Sequence, residues 1–286
     1  MLKVTERIKE ISQEITLKDL IKDGPVSTIY SCCFQGSKSI IRFDKPITKT
    51  LKLNRSVEKE VLNTLYKINI TPEVLFSDQK MGITIWRYVE ADLIKESSFS
   101  NKSLLKEIAQ TLKVIHQIQP PKKILTFNSF VDCYKELLSG LGHRRIIQEG
   151  IEIYKKIQIG NESLVLSHND LNPGNLLWSK RLTILDWEYV SLNDAYFDLA
   201  CIVSSLRLDE ENTNFFLRNY GIKKSSLDVD KINLCKEFNL YLTLFWLLIL
   251  RRHSKTTELQ EASISKLKKV LSQTQEKNFF ISTNSK

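Results

Sequence analysis

Apolar residues recur along the chain in two periods. Between Leu20 and Val89 the apolar runs are short and bounded by turn residues: Leu20-Ile21, the turn Gly24-Pro25, then Ile29 to Phe34 read as strand, turn and strand. Ser39 to Phe43, Val74 to Phe76 and Ile83 to Val89 read as further strands, and Leu62 and Leu65 mark one helix among them. Ahead of this region, Val4, Ile8, Ile11 and Ile15 recur at helical spacing and predict an amphipathic opening helix.

After a polar, serine-rich connection over Glu90 to Lys102, the spacing lengthens. Leu104, Leu105, Ile108, Leu112, Ile115 and Ile118 predict a helix stopped by Pro120-Pro121, and a second helical pattern from Phe130 to Ile157 breaks near Gly140-Leu141-Gly142. Further helices are expected over Tyr196 to Leu206, Asn239 to Arg252 and Glu258 to Leu271, with Gln273 to Lys286 polar enough to fray. The longest apolar stretch, Leu240 to Leu250, is eleven residues, too short to span a bilayer, and predicts a buried helix.

One segment departs from both periods. Ser167 to Ala200 reads SHNDLNPGNLLWSKRLTILDWEYVSLNDAYFDLA, with brief apolar runs at Leu164 to Leu166 and Leu182 to Leu185 around a polar loop. It contains His168-x-Asp170-x-x-x-x-Asn175 and, eleven residues on, Asp186-Trp187-Glu188. Phosphoryl transfer asks a protein for a carboxylate near the acceptor hydroxyl and for oxygen ligands to magnesium. Asp170 suits the first task; the Asn175 amide oxygen and the Asp186 carboxylate suit a hard cation that also keeps water and phosphate oxygens. Pro173-Gly174 supplies turn chemistry that brings Asn175 back beside Asp170.

HNDLNPGN, ILDWEY and Asn193-Asp194-x-x-x-Asp198-Leu199-Ala200 together resemble the catalytic core of the aminoglycoside phosphotransferase and choline kinase superfamily, and within it the bacterial choline kinases. The resemblance implies a two-lobed, protein-kinase-like α+β fold, with a small antiparallel-sheet nucleotide lobe over residues 1–90 and a larger, mainly helical catalytic and substrate lobe over 91–286. It implies ATP and Mg2+ as cofactors, Asp170 as catalytic base, Asn175 and Asp186 as ligands of the metal and nucleotide, and His168 and Asp198 as structural supports. His116, in IAQTLKVIH, is expected to brace the catalytic loop from beneath.

In the nucleotide lobe the resemblance places Ser27 and Thr28 of the first turn over the phosphates and Arg42 on the strand that holds them. A guanidinium stays charged and binds phosphate through a planar fork, so arginine is chemically sound there. A buried cation needs a carboxylate partner, and Glu58 or Glu60 on the following helix is the candidate; Glu58 fits the spacing to Leu62 and Leu65 better. Arg87 to Val89 fall where the family forms its adenine hinge.

For the acceptor, a quaternary ammonium group is held by aromatic faces and a carboxylate, because the cation is drawn to the ring quadrupole and donates no strong hydrogen bond. Asn172, Glu188, Tyr196, Tyr241 and Trp246 are the expected contacts, with Phe245 nearby. Choline kinases typically carry two tryptophans three residues apart on the late helix; Trp246 matches the first, and Ile249 stands at the second. The resemblance implies choline as the amino alcohol, and the departure at Ile249 keeps ethanolamine, thiamine or an aminoglycoside as alternatives.

Composition narrows the field only modestly. The chain has 286 residues, 42% hydrophobic, enough for two lobes. Its formal charge of +9 favours an anionic ligand, but the lysines are spread along the chain and form no basic block for nucleic acid. Five cysteines without a C-x-x-C pair read as reduced core residues, and Met1 to Ile15 lacks the apolar core of a signal peptide, so a cytoplasmic protein is expected. A protein kinase is disfavoured by the lack of D-F-G and A-P-E motifs, a resistance phosphotransferase by the non-acidic Lys277 to Lys286, and a non-catalytic nucleotide binder by the presence of Asp170, Asn175 and Asp186 together. Oligomeric state is not legible.

Overall fold

The computed structural model describes residues 7, 8, 11, 14–158, 163–223, 225–254 and 256–283. Three strands come first, β1 (Ile15–Asp23), β2 (Ser27–Phe34) and β3 (Ser37–Asp44), then a one-turn helix α1 (Ile47–Thr50) and α2 (Arg55–Lys67). With β4 (Val74–Asp78) and β5 (Ile83–Arg87) the strands form one antiparallel sheet in the order β1-β2-β3-β5-β4. Alternation along β3 sorts its side chains: Ile41 and Phe43 join Cys32, Phe34, Ile83 and Ile85 in a core on one face, while Arg42 between them turns towards α2.

β6 (Asp92–Leu93) leads into α3 (Lys102–Ile115), α4 (Asn128–Leu138) and α5 (Arg144–Gln158). β7 (Val165–Ser167) then opens the irregular centre, followed by a 3-10 turn at Pro173–Asn175, β8 (Leu176–Trp178), β9 (Leu182–Ile184) and β10 (Ser191–Asn193). β10 pairs with β7, and β8 lies between β6 and β9. Helices α6 (Ala195–Ser205), α7 (Glu210–Tyr220), α8 (Ser226–His253) and α9 (Glu258–Thr283) complete the chain. This is the two-lobed α+β architecture expected. The large core runs from Val57, Val61, Leu62 and Leu65 of α2 through α3 to α8, so α2 is packed against both parts of the molecule.

Four expectations change. Ile15 begins β1 and is no part of an opening helix; Val4 lies outside the described residues. α7, capped by the Asp209 side chain on Asn212 N–H, was hidden because its apolar face is short. α8 starts at Ser226, well before Asn239, because Ser225 and Asp228 form a reciprocal capping box. Its span Leu227–His253 is long and apolar enough to cross a membrane, but Ile232, Phe238, Leu244 and Leu248 are buried in the core and Lys231, Lys236 and Glu237 interrupt it. Finally, α9 continues past Leu271 to Thr283.

Candidate active site

The polar loop is built on a saturated brace. Asp198, fully buried on α6, accepts the His168 N–H on Oδ2 and the Asn169 N–H on Oδ1, both at 2.8 Å, and its Oδ2 meets His116 Nε2 at 3.2 Å. Burial pushes its carboxyl upward, but the His116 contact and the other donors outweigh it and hold Asp198 below the ordinary range. Asn169 sits at φ 68°, a conformation asparagine tolerates, and its side chain donates to Ser167 O, Tyr189 O and Ser191 Oγ while accepting from Asn193. His168 accepts the Asp170 N–H on Nδ1 at 3.2 Å and donates from Nε2 to Leu185 O at 2.8 Å, which fixes its tautomer, and its ring packs at a tilt 4.7 Å from the buried Trp187 ring. His168, Asp198 and His116 are brought together beneath the loop; Asn169 and Asn193 were not anticipated, although Asn in an H-N-D turn was a signal of left-handed backbone.

Above the brace, Asp170 is held by two side-chain amides. Asn172 Nδ2 reaches its Oδ1 at 3.2 Å, and Asn175 Nδ2 reaches its Oδ2 at 3.1 Å and its backbone carbonyl at 2.9 Å. Asn172 also caps the 3-10 turn by accepting the Gly174 N–H; a Cβ on Gly174 would approach Asn172 Oδ1 to 3.0 Å. With its amide nitrogen spent on Asp170, Asn175 is left with an Oδ1 that takes no protein donor among the described residues. The Leu185 N–H donates to Asn175 O at 2.8 Å and so ties the Asn175 turn to the segment carrying Asp186. Asp186, at φ 60°, is partly exposed. An amide oxygen and a carboxylate are hard donors that fit Mg2+, and among the described residues no cluster of three or more His, Cys, Asp or Glu completes a metal cage, so phosphate oxygens and water would fill the remaining positions. Asp170 is pushed above the ordinary aspartate range, first by burial and then by the Asp186 charge, against the opposing influence of His168.

Behind Asp186 lies a buried ion network. Arg42 Nη1 and Nη2 each meet a Glu58 oxygen at 2.8 Å, its Nε is 3.3 Å from Asp44, its Nη1 is 3.9 Å from Asp186, and the guanidinium lies 5.0 Å from the Trp86 ring. Glu58 is therefore the partner, and Glu60 is exposed on the far side of α2. Burial pushes Glu58 upward, but Arg42 and Arg55 outweigh it and hold it at about 2. Arg55 was not anticipated; it joins Glu58, Asp44 and Glu188.

A cavity of about 560 Å³ collects Ser27 of the first turn, Asp170, Asn172, Asp186, Glu188, Phe130, Tyr134, Tyr189 and Trp246. Glu188 is pushed up to about 8, chiefly by burial and then by Asp186, with Arg55 and Arg42 opposing. Four expected contacts are corrected. Thr28, across from Asp23 in the hairpin, donates to its carboxylate at 2.9 Å and faces away from Ser27, as strand alternation requires. Arg87 is half-exposed and paired with Glu73 at 2.7 Å; near it the Arg87 and Tyr88 N–H groups are spent on Glu73 O and Lys38 O, while the Val89 N–H takes no acceptor among the described residues. Tyr196 donates to Asp228, with Lys231 over its ring at 5.0 Å. Tyr241 is buried against α5, where a Cβ on Gly150 would strike it at 3.0 Å and Phe245 at 2.6 Å. Five residues separate Tyr241 from Trp246, a turn of roughly 140° around a helix, so one faces α5 while the other, with Asn239 and Thr243, faces the cavity. Phe130 and Tyr134 were missed because α4 lies far away in sequence and its aromatics follow the pattern of core residues, and Tyr189, next to Glu188 in the motif itself, was passed over.

The choline/ethanolamine kinase family model matches residues 20–225. Two forms of protein LicA from Haemophilus influenzae are each 26% identical over 196 residues, 65% of this chain; the match spans 57% of one and 72% of the other. Among solved structures, choline kinase LicA from Streptococcus pneumoniae superposes with a TM-score of 0.75 at 20% identity, covering 94% of this chain and 98% of that one. A GDP complex of aminoglycoside 2'-phosphotransferase-IIIa superposes with a TM-score of 0.65 at 14% identity, covering 96% and 97%.

Proposed function

This chain belongs to the choline/ethanolamine kinase family, phosphotransferases with an alcohol acceptor, and on that premise we propose that it transfers the γ-phosphate of ATP to the hydroxyl of a small cationic amino alcohol, choline first. The observation that carries this reading is that Glu188 and the Phe130, Tyr134, Tyr189 and Trp246 rings share one cavity with Asp170 and Asp186. A carboxylate among aromatic rings binds a cation that donates no hydrogen bond, and the ring that Ile249 does not supply comes instead from α4 and Tyr189.

The division of labour follows the sequence regions. Residues 1–90 hold the nucleotide, with Ser27 over the phosphates, Arg42 aimed by Glu58 at the transferring group, and the Val89 N–H offered to the base; residues 91–286 hold the acceptor. Asp170 takes or steers the acceptor's hydroxyl proton, and its raised affinity for protons suits that task. Asn175 Oδ1 and Asp186 would hold Mg2+, which when bound would neutralise charge on the phosphate oxygens. Asn172 and Asn175 hold the Asp170 carboxylate through their side-chain amides, and the His168 and Asp198 brace fixes the loop. Arg42 remains charged throughout and stabilises the charge that develops on the phosphoryl group.

The test is ADP release from the purified chain with MgATP and a panel of choline, ethanolamine, thiamine and aminoglycosides, followed by identification of the phosphorylated product. Choline is expected to show the highest kcat/KM. Preference for ethanolamine would replace the quaternary ammonium reading, and phosphate on none of the panel would overturn the acceptor class.

A further inference from the structure

Arg55 occupies the first helical position of α2, directly after the Asn54 cap. A cation there faces the positive end of the helix dipole, and it is buried with a side chain 6% exposed, so its placement is doubly unfavourable without compensation. The compensation is complete. Nε and Nη2 bind the Asp44 carboxylate in a fork at 2.8 and 2.9 Å, Nη1 meets Glu58 Oε2 at 2.9 Å, and Nη2 also meets Glu188 Oε2 at 3.1 Å.

These three carboxylates come from different parts of the site. Glu58 is the residue that forks onto Arg42, Asp44 ends the strand that carries Arg42, and Glu188 lies 133 positions further along the chain in the acceptor cavity. Arg55 is the one hydrogen-bond donor to Glu188 among the described residues. We infer that Arg55 is a positioning residue that aims both halves of the site at once, holding Glu188 towards the acceptor cation and Glu58 onto Arg42 beneath the phosphates. This rests on the proposed acceptor role of Glu188; the Glu58 half stands on its own geometry. Lysine cannot reproduce the arrangement, because an ammonium lacks the planar fork needed for Asp44 while Nη1 reaches Glu58 and Nη2 also reaches Glu188.

The test is steady-state kinetics of Arg55→Met and Arg55→Lys with choline and ATP each varied at saturation of the other, beside Glu188→Gln and Glu58→Gln, with melting curves for all. Arg55→Met is expected to raise both KM values by about tenfold or more, as loss of charged hydrogen bonds implies, and Arg55→Lys to raise both by less. Glu188→Gln should raise the acceptor KM alone, Glu58→Gln the ATP KM alone, and adding Arg55→Met to Glu188→Gln should raise the acceptor KM no further. A merely structural arginine would lower the melting temperature and the active fraction while leaving both KM values at wild type, and that outcome, or a change confined to one substrate, overturns the inference. If Arg55→Met fails to fold, Arg55→Lys carries the same two readouts. An unchanged acceptor KM in Glu188→Gln would sink the acceptor reading instead, leaving the ATP side to judge Arg55.

Discussion

Asp198, fully buried, and Glu188, with its side chain 10% exposed, are carboxylates of the same polar segment, and they end in opposite states. Burial pushes both upward, yet Asp198, with three donors, is held below the ordinary range, whereas Glu188, with Arg55 as its hydrogen-bonded partner and Asp186 nearby, rises to about 8. Asp170 falls on the Glu188 side: its two donors are neutral amides, and it too is raised. The number of donors and the nearby like charge of Asp186, not burial, separate them. A brace uses up its carboxylate inside the protein, while the cavity wall keeps carboxylates whose charge the protein leaves undercompensated for a ligand to complete.

The sharpest break of this contrast is Asp170→Asn. It keeps the shape and removes the charge, and kcat should fall by about 10²–10⁴-fold, the usual worth of a positioned base, with nucleotide affinity retained in titration calorimetry. Because the ionised form is disfavoured by burial, the same change should leave stability against urea equal or higher, as losses of function often do. Equal loss of kcat and nucleotide binding would remove Asp170 from the acceptor side.

Asp198→Ala should show the reverse order of effects. It strands the buried His168 and Asn169 N–H groups and removes one of the two partners of His116, leaving Tyr220, so unfolding in urea should be easier by about 3–5 kcal/mol, the scale for breaking a buried charged network. Activity should fall because folded protein is lost, and the residual active fraction should retain wild-type KM values.

How far this was legible in the sequence follows the same line. The motif resemblance named His168, Asp170, Asn175, Asp186 and Asp198 together, and the turns of the loop with the first turn of α6 bring them into one neighbourhood. Arg42 came from the same resemblance, and the choice of Glu58 over Glu60 from its spacing to the apolar stripe of the following helix. Arg55 was not legible, since an arginine after an asparagine cap looks like an ordinary exposed helix start until Asp44 and Glu188 arrive from elsewhere. Tyr241 was misplaced for a different reason: aromatic content on α8 was evident, but which face looked into the cavity depended on Gly150, where α5 comes close enough to take Tyr241 and Phe245 into the core.

Titration sharpens the comparison further. Glu58 is lowered from 4.5 to about 2, so its contribution to stability is full above its unfolded value and is lost as pH falls from about 4.5 towards 2. Asp198, also lowered, acts in the same direction. Glu188 is raised from 4.5 to about 8, so the folded state binds the extra proton and loses stability as pH rises across that interval. Unliganded protein should therefore gain stability as pH is lowered from about 8 towards 4.5 and lose it below, in urea unfolding across a pH series. Glu188→Gln should flatten the upper limb and leave the acid limb in place; an unchanged upper limb would mean that Glu188 is ionised in the free protein.

The smallest effect separates two aromatic residues of one helix. Trp246 lines the cavity with Glu188, while Tyr241 is turned towards α5. A cation–π contact in a desolvated site contributes up to about 2 kcal/mol, so Trp246→Leu should raise the choline KM by about three- to thirtyfold with the ATP KM unchanged. Tyr241→Phe keeps the ring that packs on Gly150 and should leave the choline KM at the wild-type value. Equal shifts from both would show that α8 acts through its packing as a whole, and the cavity wall would then have to be drawn from Phe130, Tyr134 and Tyr189 alone.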